Sequence, residues 1–147
     1  MRGIGRLQRP DLAKLLVPML RDPVAAVRAE AASAIAQGET GDWRTSSGAA
    51  ADGLTPRGAQ DAMIAALAQE RDPQVVDALA AALGRLPFAD SSEARVAERA
   101  MLSRVTGLPS LGVVRGMYSL TLNRRLTGGV STSGTVLLRQ AVQRAAD

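Results

Sequence analysis

The stretch Arg71-Asp72-Pro73-Gln74-Val75-Val76-Asp77-Ala78-Leu79-Ala80-Ala81-Ala82-Leu83-Gly84-Arg85-Leu86 occurs more than once in outline. Its middle, Val75 to Leu83, aligns with Val27-Arg28-Ala29-Glu30-Ala31-Ala32-Ser33-Ala34-Ile35 at an offset of 48 residues. Both follow an Arg-Asp-Pro turn, which in the earlier copy is Arg21-Asp22-Pro23. The ending Gly84-Arg85-Leu86 also matches Gly5-Arg6-Leu7, and Ile4 lies 31 residues before Ile35. The excess of 17 in the second interval falls on GETGDWRTSSGAAADGL, residues 38–54. The chain therefore reads as a repeat of about 31 residues with one inserted loop over 38–54.

Each unit reads as two helices. Leu12, Leu15, Leu16, Met19 and Leu20 recur at three- and four-residue spacing, and Val27, Ala31, Ala34 and Ile35 form a second stripe. In the next unit the stripes are Met63, Ile64 and Leu67, then Val75, Leu79, Ala82, Leu83 and Leu86. Asp before Pro suits an N-cap and first helical position, because Pro lacks the amide hydrogen that would be unpaired there. Thr55-Pro56 starts a helix in the same way, and Asp90-Ser91-Ser92-Glu93 has capping-box spacing. A more divergent third unit places Val96, Ala100, Met101 and Val105 on one stripe. A Pro-containing turn over Gly107 to Gly112 follows, and then Val114, Met117, Tyr118 and Leu122. Thr127-Gly128-Gly129 breaks that helix, and a last one is expected over Thr135 to Ala145, with Val136, Leu137 and Val142 apolar.

Composition agrees. The chain of 147 residues has 27 Ala and 18 Leu against 15 Val plus Ile and three aromatics, a balance that favours closely packed helices over a β-sandwich or barrel. No Cys and no His are present, which excludes disulfides, Cys-type zinc sites, thiol nucleophiles and any His-dependent triad within this chain. No nucleophile–base constellation is identifiable, and Ser131-Thr132-Ser133-Gly134 lacks the spacing and Lys of a phosphate-binding loop. No catalytic residue, cofactor or metal is expected. No apolar run approaches the roughly 18 residues of a membrane helix, and the N-terminus lacks the apolar stretch of a secretory signal. The expected compartment is the cytoplasm by default.

The helix, Asp-Pro turn, Val-Arg, Ala-rich stretch and Leu-Gly-Arg-Leu ending resemble a bacterial HEAT repeat of the short, phycobilisome-lyase-like kind. The resemblance is good over Leu12–Gln37 and Ala59–Leu86, weaker over Ser91–Leu126, and interrupted by the insertion. It implies an all-α, right-handed α-α superhelix, a HEAT/armadillo-like solenoid of about three helix pairs in one repeat domain over residues 1–147. Both ends read as half-units, so a longer parent solenoid is expected, with atypical terminal caps as the alternative. The resemblance also implies an Asp–Arg ladder between units, drawn from Asp22, Asp72, Arg28 and Arg115, and broken where Val76 replaces Arg.

Repeat alignment puts Arg6, Gln37, Arg85 and Arg124 in one column at the ends of second helices. Such a column can contact phosphates or an acidic partner, or it can simply complement helix C-termini. Trp43, in the insertion, is either a binding hot spot or a lid on the neighbouring helix pair. Arg6, Arg85, Arg124 and Trp43 are thus the candidate partner-binding residues. The leading expectation is a non-catalytic protein-interaction scaffold with an unknown protein partner. The alternatives are a nucleic-acid-binding HEAT-like protein and an accessory domain of a larger bacterial enzyme. The scarcity of aromatics counts against stacked single strands.

Overall fold

A computed structural model describes residues 14–39, 56–122 and 132–146. Among these there are six α-helices and two short 3-10 helices, and no strand. The 3-10 helices are Lys14–Leu16 and Pro18–Arg21. The α-helices are α1 (Ala25–Glu39), α2 (Pro56–Gln69), α3 (Pro73–Leu83), α4 (Ser91–Leu102), α5 (Leu111–Leu122) and α6 (Thr132–Ala146). No described helix is long and apolar enough to cross a membrane.

The helices fall into two rows. The most extensive contacts are α1 with α3 and α3 with α5, so the second helix of each unit packs on the second helix of the next. The first helices form the other row, in which α2 touches α4 and α4 touches α6. One apolar cluster runs between the rows from Leu16 to Leu137. Every residue of the stripe Val75, Leu79, Ala82, Leu83 and Leu86 is buried, as are Ala31, Ala34, Ile35, Met63 and Leu67.

The caps follow the sequence. Asp72 precedes α3 and accepts the amides of Gln74 and Val75, with Pro73 at the first helical position. Asp90 accepts the amides of Ser92 and Glu93, while Glu93 reaches back to the amide of Ala89 at 2.9 Å. That is a capping box displaced by one residue. Such caps stabilise a helix by about 1 kcal/mol each. Thr55 lies outside the described residues.

Several expectations are corrected. The first stripe does not form one α-helix. Pro18 removes an amide donor and crowds the preceding turn, and the segment settles into two 3-10 pieces. Asp22 accepts the amide of Val24, and α1 starts two residues beyond the Asp-Pro turn. At its other end α1 runs through Gly38 to Glu39, into the stretch read as insertion. The rest of that stretch, residues 40–54, is outside the described residues, as is the break at Thr127-Gly128-Gly129. In α4 the buried face is Ala94, Ala97, Glu98 and Met101, while Val96 is exposed. In α5 it is Gly112, Val113, Gly116, Met117 and Leu120, while Tyr118 and Leu122 are exposed. Gly112 therefore belongs inside the helix rather than to the turn. α6 starts at Thr132, three residues early, and buries Leu137 but not Val136.

Glycines explain α5. A Cβ on Gly112 would run into the backbone of Asp77, one on Gly116 into the Ala80 carbonyl, and one on Gly84 into the backbone of Gly116. Contacts that advance together along both chains mean that α3 and α5 run parallel, backbone against backbone. Gly84 has an ordinary φ of −63°, so close approach and not conformational freedom requires glycine there.

Candidate functional site

A groove of about 500 Å³ opens across the second-helix row. α1 contributes Ser33, α3 contributes Asp77, Ala78 and Ala81, and Arg85 follows the end of α3. α5 contributes Leu111, Gly112, Arg115, Tyr118 and Ser119. The close approach at Gly112 places the two helices so near that Asp77 and the first turns of α5 share one wall.

Of the candidate partner-binding residues, Arg85 lies in this groove. Arg6, Arg124 and Trp43 lie outside the described residues. Arg85 is half-buried, and burial pushes its guanidinium below the ordinary value. Its backbone amide donates to the Ala82 carbonyl at 3.0 Å, while its guanidinium makes no hydrogen bond or ion pair among the described residues, the last α3 carbonyls included. A different arginine does that work for α2. Arg104 donates through Nη2 to the carbonyl of Glu70 at 2.5 Å and through Nη1 to that of Ala68 at 3.4 Å.

The inter-unit ladder also differs from the expectation. Arg28 pairs with Glu70, not with Asp72. Its Nε donates to Oε2 at 2.7 Å and its Nη2 to Oε1 at 2.9 Å, a two-pronged contact across 42 residues of sequence. Arg28 also donates to the backbone carbonyl of Asp22 at 2.8 Å, and the Asp22 carboxylate caps its own turn. Glu70 Oε1 further accepts the amides of Arg71 and Asp72. The Arg28 guanidinium and those two amides hold the Glu70 carboxyl well below 4.5, at about 2, although burial opposes the shift. Asp72 is committed to capping α3, which leaves the turn's other acid to make the pair. Arg115 is exposed, lies in the groove, and makes no ion pair among the described residues.

Two groove features escaped sequence reading. Asp77 has a buried Oδ1 with no hydrogen-bond partner among the described residues. Tyr118, the chain's only tyrosine, stands 57% exposed on the groove wall instead of in the core stripe. The signal for Tyr118 was the G-x-x-x-G spacing of Gly112 and Gly116, which turns the glycine face inward and Tyr118 outward. Outside the groove, buried Glu98 is held by Arg95 at 2.9 Å, and Gln60 donates to the Pro87 carbonyl at 2.6 Å. Comparison with known proteins returns no matching family, no matching curated protein and no matching solved structure.

Proposed function

We propose that this chain is a non-catalytic protein-interaction scaffold, built as a HEAT-like solenoid that presents the groove on α1, α3 and α5 to a partner. The observation that carries the reading is the second-helix row. Repeat-equivalent helices pack successively, α3 and α5 run parallel, and one groove crosses all three. A curved stack of this kind spreads binding over several units. The Arg28–Glu70 contact supports it, because it joins the second helix of one unit to the turn of the next.

A nucleic-acid reading has one specific observation in its favour, namely Arg85, Arg115 and Tyr118 in a single groove. Asp77 in the same wall weighs against a polyanion. Titration of duplex DNA against salt separates the two. The scaffold reading predicts dissociation constants no tighter than about 10⁻⁴–10⁻⁶ M near physiological salt, the range of non-specific association. Nanomolar binding that is lost in an Arg85→Gln/Arg115→Gln variant would replace it with the nucleic-acid reading.

A further inference from the structure

The groove carries charges that the other described residues do not pair. Arg85 and Arg115 have no carboxylate partner among the described residues, and Asp77 Oδ1 has no donor. Asp77 and Arg85 do not satisfy each other. Eight residues separate them, about 12 Å along a helix at 1.5 Å per residue. Asp77 Oδ1 is buried and unmet, which is costly, while the half-buried Arg85 and the exposed Arg115 hold their charges open to a ligand lying in the groove. Between them the wall is apolar, with Ala78, Ala81 and Leu111, and Tyr118 at the rim.

From these groups we infer that the groove takes an extended acidic peptide segment of a partner protein, with its carboxylates on Arg85 and Arg115 and a backbone amide on Asp77. The inference rests on the scaffold reading and deepens it. Charge complementarity selects an acidic ligand, since two of the three charged residues lining the groove are arginines. Asp77 selects a peptide over a nucleic acid. A phosphate backbone offers no donor to a carboxylate and is repelled by it, whereas a peptide offers an N–H at every residue except proline. The span also fits, because about 12 Å equals three to four residues of extended chain. Leu111 and Tyr118 then receive the apolar side chains that alternate with the acidic ones.

A random-peptide phage library selected on the whole chain tests this. The expected consensus is enriched in Asp and Glu. Arg85→Gln/Arg115→Gln, checked for an unchanged circular dichroism spectrum, should lose that enrichment and bind a selected peptide about tenfold more weakly or worse, as lost charge-assisted hydrogen bonds require. The selected peptide is then resynthesised with one amide at a time replaced by an ester. One such replacement should weaken binding to the native chain several-fold and have no effect on Asp77→Ala. Basic, uncharged or absent enrichment would overturn the inference, and so would an acidic consensus that the double variant retains. Dimerisation lost in the double variant, with no peptide enriched, would give the groove to a second copy and overturn it equally. The scaffold reading fails separately, on nanomolar DNA binding, and a non-acidic peptide seated in the groove would leave it standing.

Discussion

Gly116→Ala should destabilise the protein although alanine is the better helix former. Gly116 faces the Ala80 carbonyl, which is backbone, and the sulfur of Met101, which would lie 2.6 Å from the new Cβ. Met101 is fully buried and has little room to retreat. Restoring ordinary contact requires α5 to move away from α3 by roughly 1 Å, and a gap of that size forfeits a quarter to a half of each dispersion contact along the interface. Overpacking of this kind costs about 1–3 kcal/mol, with the upper end appropriate where backbone blocks the new atom. Helix propensity returns about 1 kcal/mol. The net loss is about 2 kcal/mol, which lowers Tm by about 6 °C at roughly 2.1 cal/mol/K per residue. Thermal melts followed by far-ultraviolet circular dichroism measure it. Gly107→Ala is the control, because Gly107 is exposed with open space around its missing Cβ, and its Tm should change by no more than about 2 °C. A higher Tm for Gly116→Ala, as propensity alone demands, would refute the close-packed α3–α5 contact.

Glu70→Gln should narrow its stability deficit as the solution is acidified. The native carboxyl is held at about 2 instead of 4.5, so its contribution is full above the unfolded value and is lost as pH falls toward the folded one. With solvent screening the deficit should be about 1–2 kcal/mol at neutral pH and close to nil near pH 2 in urea titrations, and a pH-independent deficit would contradict the Arg28 contact. Ala34→Leu should cost roughly 1–3 kcal/mol, because Ala34 is buried on the α1 face, and an unchanged melting midpoint would remove it from the core. Asp90→Ala should cost about 1 kcal/mol by removing the α4 cap, with Asp90→Asn recovering most of it in the same melts.

Where burial falls on large aliphatic side chains at helical spacing, the sequence was legible. Val75, Leu79 and Leu83 mark α3, with Leu86 just beyond its end, and the Asp72 and Asp90 caps could be read from residue type alone. α4 and α5 were misread by a rotation of their faces because much of each contact surface is alanine, glycine or, in α4, a glutamate. Ala94, Ala97 and Gly116 carry almost no hydrophobic signal, and Glu98 carries the wrong one. Pro18 was a legible warning against a continuous first helix. Of the groove, Arg85 was accessible through repeat alignment and Arg115 was singled out for a different role. Asp77 was not accessible, since its importance lies in lacking a partner, which depends on everything packed around it. Glu70 was passed over for the ladder because the Asp-Pro turn drew attention to Asp72, whose carboxylate is already used by its own helix.

Site-specific photocrosslinking in the organism that makes the protein tests the central claim most directly. A photoreactive phenylalanine analogue replaces Tyr118 on the groove wall or, in a second strain, Arg99 on the exposed side of α4. The account predicts a discrete crosslink to one polypeptide from position 118, abolished by Arg85→Gln/Arg115→Gln, and none from position 99. Equal crosslinking from both positions, no crosslink from position 118, or a nucleic-acid adduct there would contradict a protein-binding groove.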